Sequence, residues 1–282
     1  MCSVKIVTDS TSYITPAVLA KYQISEVSLI VNFDKRSFPE NKEKNYHSFF
    51  EELKMSKIYP TTSQPAVGDF VETYRHLTDD GSSVISLHIS GLLSGTVQAA
   101  KTAAGMLEDR DICVVDSMFT VTALGFIVEE AGKMASAGKN KEEILSKIEE
   151  MKNHTYLFFL VDTLEYLYRG GRIGGASALF GNLLQIKPIL HVKDGLIDVL
   201  TKVRTREKAI RQLLLEVEKR IEGDGNKKRI GVLHVDNPEG AEHLKDLLQK
   251  KYSEVNSDFY AVGPVIGSHV GPGTTGIVIT QS

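Results

Sequence analysis

The spacing of apolar residues changes character twice along this chain. In the first half, short apolar runs at Val4–Val7, Val27–Phe33, Ser83–Leu87 and Ile112–Val115 read as strands. Between them, Ala17–Tyr22, Tyr46–Lys54, Val67–Leu77, the stretch from Thr96, and Thr120–Ala137 repeat their apolar positions at helical spacing. Lys141–Lys152 adds a charged amphipathic helix. Strand and helix alternate, so a parallel, Rossmann-like sheet is predicted. The second half reads differently. Tyr156–Val161, Pro188–Val192, Leu196–Val199, Lys202–Arg204, Arg229–His234, Ser257–Ala261 and Gly276–Thr280 are short strand patterns, and Asp194-Gly195 is a hairpin signal. Ala176–Leu184, Glu207–Ile221 and Gly240–Lys251 are helical. Hairpins interleaved with helices predict a mixed sheet.

The fold class is therefore α/β. Two α/β domains are expected, at 1–153 and 154–282, with the boundary near Asn153-His154. With 282 residues, 42% hydrophobic and 24% charged, the chain has the composition of an ordinary globule. Its net charge of −3 is scattered without a basic face, which argues against nucleic acid as a partner. Cys2 and Cys113 form neither a disulfide framework nor a metal pattern, and the longest apolar runs, such as Leu157–Val161, fall short of a membrane span. No leader opens the chain, so a reducing cytoplasm is the expected location.

The candidate chemistry lies where strands empty into polar loops. Ser86–Ala100 runs from a strand through Gly91, Ser94 and Gly95 onto a helix start at Thr96. Unpartnered amides at a helix start, together with two hydroxyls, favour an anion. Ser94 is equally placed to be a helix cap. Gly95 has no Cβ and so permits a close approach. Asp9-Ser10 and Asp116-Ser117 each follow a strand, and turn chemistry explains them as well as a ligand does. Two prolines pin Thr62 and Ser63, which can donate to an oxygen ligand or cap the next helix. His269 sits between glycines. It can be cationic beside a carboxylate, or neutral and donating one N–H.

Six segments, taken in order, resemble the DegV family: Thr62-Ser63-Gln64-Pro65, Leu93-Ser94-Gly95-Thr96, Asp116-Ser117, Tyr166–Ile173, Arg204-Thr205-Arg206 and Gly267–Gly273. The resemblance runs from about Ser3 to the end of the chain. Ala99-Ala100 and Thr274-Thr275 depart from the residues often found there. The family is bacterial, and its members bind fatty acids. Some serve as the lipid-holding subunit of a fatty acid kinase that feeds phospholipid metabolism. The resemblance implies a carboxylate held by Thr62 and Ser94, with Gly95 and His269 nearby and Ser63, Asp116 and Ser117 near the site. It implies an acyl tunnel, for which Phe158, Phe159, Leu164, Phe180, Leu183 and Ile189 are the tail-lining candidates. Arg172, Arg204 and Arg206 would meet a separate ATP-dependent kinase subunit or close the entrance. Transient contact with a membrane surface fits that role. The long-chain fatty acid is then a ligand, with no cofactor, no metal and no catalytic centre of the chain's own. The competing reading is an enzyme acting on a small phosphorylated substrate through the Ser94 loop with Asp9 and Asp116. The sequence lacks a Walker-type loop, a GxGxxG after the first strand and a GxSxG elbow.

Overall fold

The computed structural model describes residues 3–40, 46–179, 186–221, 228–252 and 257–281. Cys2, Phe180 and Leu183 lie outside them. The described residues form two compact units, one from Met1–Glu43 and Thr62–Asn153, the other from Lys44–Thr61 and His154–Ser282. A single cut at residue 153 thus misplaces one segment. The Tyr46–Met55 helix packs in the second unit, where Phe50 lies against Gly267. Its His47 and Lys54 bond the two carboxylate oxygens of Asp236 at 2.7 and 2.6 Å.

The first unit is built on β1 (Val4–Asp9), β2 (Ser25–Val27), β3 (Ile30–Phe33), β4 (Arg36–Pro39), β5 (Thr61–Ser63), β6 (Ser83–His88) and β7 (Ile112–Asp116). A fully parallel sheet has the order β2-β1-β6-β7, as the alternating pattern predicts. A small second sheet, β4-β3-β5, was not expected. The single strand expected over Val27–Phe33 is two strands in two sheets. The break falls where the Leu29 N–H donates to Ser10 Oγ at 3.1 Å instead of to a neighbouring strand. Val7, Val84, Phe70, Tyr74, Ala100 and Ala103 pack as a core between the parallel sheet and two helices, Val67–Thr78 and Thr96–Gly105.

The second unit carries β8 (Tyr156–Leu160), β9 (Lys187–Lys193), β10 (Leu196–Val203), β11 (Lys228–His234), β12 (Ser257–Ala261) and β13 (Thr275–Gln281). They form one mixed sheet, β10-β9-β8-β13-β11-β12, in which only β11 and β12 run parallel. Asp194 and Gly195 turn the β9–β10 hairpin, both with positive φ. The two strands expected over 196–204 are one strand with a register shift between Val199 and Thr201. The helix expected from Ala176 begins instead as a 3₁₀ run, Gly174–Leu179. No helix among the described residues is long and apolar enough to cross a membrane.

Candidate functional site

In the first unit the loop after β6 is held by its own backbone and by β7. The Ser90 carbonyl accepts from the N–H groups of Leu93 and Ser94, each at 3.0 Å. Ser90 Oγ accepts from the Leu92 N–H at 3.2 Å. Asp116 accepts from the Gly91 N–H at 3.0 Å with one oxygen and from the Met118 N–H at 2.8 Å with the other. Ser117 is fully buried, and its hydroxyl donates to the Phe119 carbonyl at 3.1 Å. Asp116 and Ser117 therefore shape the loop from behind. The adjoining residues Met118 and Val121 have φ of 60° and 50°. A β-branched residue in that region is strained, and such strain collects at functional loops. Sequence spacing gave no signal for it.

This frame presents Ser94, whose Oγ lies 2.9 Å from Thr96 Oγ1. The following helix, Thr96–Gly105, has Gly95 as its N-cap, with no side-chain cap bond and no acidic residue in its first turn. Its positive end is left to attract an anion. Ser94 is thus not the cap. A Cβ on Gly95 would lie 2.8 Å from Gln64 Oε1, so the Gln64 side chain reaches the Ser94–Gly95 turn. Two of the sequence motifs therefore converge within one unit. Ser63 does not cap the next helix. It accepts from Asn32 Nδ2 at 3.1 Å, while Asp69 Oδ2 takes the Ala66 N–H at 3.1 Å and closes the helix start.

Asp9, one of the residues the competing enzyme reading uses, is fully buried and wholly occupied. Oδ1 accepts from the Thr11 N–H and hydroxyl at 3.1 and 2.6 Å. Oδ2 accepts from the Ile89 N–H at 2.9 Å and faces His88 Nδ1 at 3.1 Å. Tyr74 donates to Ser86 Oγ at 2.7 Å, and Ser86 lies 2.6 Å from His88 Nε2. The network is satisfied when the Ser86 hydroxyl donates to Nε2, which places the His88 proton on Nδ1, toward Asp9. Ser86, His88 and Asp9 have the order of a catalytic triad but sit entirely inside the sheet. Their work is to fix the Ile89 end of the loop. Glu26 stands nearby on β2. Burial, followed by the charges of Glu40 and Asp9, raises its carboxyl to about 7.

In the second unit, His269 lies in the last turn of a short helix, Pro264–Val270. Burial, and then the Arg172 guanidinium, push its imidazole down to about 4. Burial and Arg172 thus favour the neutral imidazole near pH 7, one of the two states the sequence allows. Arg172 is steadied by the Gly170 carbonyl, to which Nη1 donates at 2.6 Å. The side chain expected at an entrance thus acts on His269. A Cβ on Gly170 would collide with His269 Nδ1, so this glycine is what admits the ring. Replacing Arg172 with glutamine is expected to raise the His269 pKa, as read from its ring proton shifts by NMR. An unchanged titration would contradict that influence.

The other candidates fall in the second unit. Phe158 and Ile189 belong to a packed core with Leu213, Val217, Leu244 and Ile277. Phe159 and Leu164 are buried outside that cluster. Arg206 donates to Asp162 at 2.6 Å, and Arg204 is exposed. Among the described residues, His47, Glu51 and Asp236 bring possible metal ligands within 4.8 Å of one another. The Lys54 ammonium already sits on both carboxylates, at 2.9 and 2.6 Å, so the group is an ion-pair network.

A family model described as "Uncharacterised protein, DegV family" matches residues 3–282. The chain is 37% identical over 276 residues to Protein DegV of Bacillus subtilis, covering 98% of each. It is similar to the solved structure of a fatty-acid-binding DegV family protein from Thermus thermophilus, with a TM-score of 0.91, 33% identity and 99% and 100% of the two chains covered. A stearic-acid-binding protein from Eubacterium ventriosum superposes with a TM-score of 0.90 at 26% identity over 99% and 98% of the chains. The match spans nearly the whole sequence and the whole fold, and the chain belongs to the DegV family.

Proposed function

We propose that this chain binds one long-chain fatty acid and holds its carboxylate with uncharged donors: the hydroxyls of Thr62 and Ser94 and the neutral imidazole of His269. The observation that carries the reading is the Ser94 turn. It is an uncapped helix start with two hydroxyls and the Gln64 side chain against Gly95. Relatives of the same fold are fatty-acid-binding proteins, including one that takes stearic acid. Affinity comes from the tail. About fifteen buried methylenes at ~0.8 kcal/mol each contribute on the order of 12 kcal/mol before the costs of association. Phe159 and Leu164 are the tail contacts we retain. A head site without a salt bridge also suits the heavier charge of an acyl phosphate. The protein's role is then to present the acid to a separate ATP-dependent kinase subunit in the cytoplasm, contributing no phosphoryl chemistry of its own. The rival enzyme reading loses its acids, because Asp9 and Asp116 are spent on backbone amides of the loop.

Ser94→Ala and Thr62→Ala are each expected to weaken fatty acid binding by about 1–3 kcal/mol, the usual loss of a hydrogen bond to a charged group. Titration calorimetry with a long-chain acid reads this directly. Wild-type affinity in both variants would remove the head-group assignment. A double-mutant cycle between Ser94 and His269 reports whether both act on one carboxylate.

A further inference from the structure

The second unit contains a recess of about 200 Å³ whose lining includes His154, Tyr156, Lys219, Arg220, Lys228 and Thr280. It lies at the far end of β13 from the glycine-rich motif. Thr275 pairs with Leu160 at one end of that strand, and Ile279 pairs with Tyr156 at the other. The five residue steps from Thr275 to Thr280 span about 17 Å. The recess is therefore separate from the His269 helix.

Among the described residues its lining holds three permanent cations and no carboxylate. Behind it, Glu216 bonds Lys219 at 2.8 Å and Arg220 at 2.7 Å. Lys228 is held instead by the Arg220 carbonyl and has no carboxylate partner among the described residues. Among the described residues, three positive charges against one negative leave a net charge of two. The helix end at Lys219 and Arg220 removes about half a charge more. Arg220 is also fixed in place. Its guanidinium lies over the rings of Tyr156 and Phe158, 4.5 and 4.6 Å from their centroids. Its Nε is buried with no hydrogen-bond partner in the protein. A pre-positioned guanidinium with a second ammonium beside it matches a compact dianion better than a single carboxylate.

We infer that this recess binds a phosphate group, with Arg220 and Lys228 as its principal donors and Lys219 at the rim. A phosphate monoester carries close to two negative charges near neutral pH, which balances the lining. Free phosphate compounds and the head group of an anionic phospholipid share that chemistry.

The test uses the full chain and two probes. Inorganic phosphate is titrated by calorimetry at constant ionic strength, and vesicles of phosphatidylcholine with or without phosphatidic acid are sedimented with the protein. Saturable binding of phosphate is expected, weakened at least about tenfold in Lys228→Gln with fatty acid affinity unchanged. Binding only to the phosphatidic acid vesicles, and loss of it in Lys228→Gln, would assign the site to a lipid head group. If Lys228→Gln fails to fold, the more exposed Lys219→Gln decides by the same readout. The inference is overturned if wild-type protein binds neither probe, if chloride gives the same heats, or if the folded variants bind as wild type does.

Discussion

Asp9→Asn is expected to lower folding stability by about 1–3 kcal/mol, the cost of leaving a buried donor unmatched. The carboxylate takes four bonds, two from Thr11, one from the Ile89 N–H and one from His88. Asparagine keeps the shape but turns a donor amide toward one of these donors, leaving buried groups unmatched. Urea unfolding of the variant measures the loss, and a decrease below about 1 kcal/mol would contradict the account of Asp9. A second readout is independent of stability. The Asp9 charge helps to raise the Glu26 carboxyl to about 7, so removing it should lower that pKa. Asp116→Asn should be milder, because that side chain is only partly buried and accepts two bonds.

Gly170→Ala should disturb the surroundings of His269, the residue proposed to bind the head group, most. The added methyl would overlap His269 Nδ1, with the Tyr166 carbonyl 3.0 Å away on another side. Gly170 itself has an ordinary φ of −74°, so the obstacle is space and not backbone conformation. Overpacking of this kind costs about 1–3 kcal/mol, and a displaced His269 should weaken fatty acid binding about tenfold or more. Gly171→Ala is the contrast. Nothing lies within 4 Å of its missing Cβ, but its φ is +70°. That variant should lose about 1–2 kcal/mol of stability from backbone strain and keep its affinity. Equal affinities for the two alanine variants would refute the steric role of Gly170.

The strands and helices were legible because their apolar periods are local. Val84–Leu87 and Ile112–Val115 announce buried parallel strands, and Asp194-Gly195 announces a hairpin, without reference to anything distant. The Ser94 loop was legible for the same reason: strand, glycines and helix start are contiguous. Long-range partners were not. Nothing near Tyr46 says that its helix packs against Gly267 and Asp236, more than 180 residues later. Ser63 looked like a cap because a helix follows it, yet its partner is Asn32 across a small sheet. Asp9 looked like a candidate site residue because strand ends often carry chemistry. Its occupation by Ile89 and His88, some 80 residues away, shows only in the fold. Arg172 was assigned to an entrance, and its effect on His269 depends on packing between two segments about a hundred residues apart.

The central claim is that the chain carries a fatty acid, and native mass spectrometry of protein purified without added lipid tests it most directly. The predicted result is a mass increment of one long-chain fatty acid per chain, released on denaturation and identified after organic extraction. A lipid-free protein that also shows no saturable binding when titrated with a long-chain acid would contradict the account.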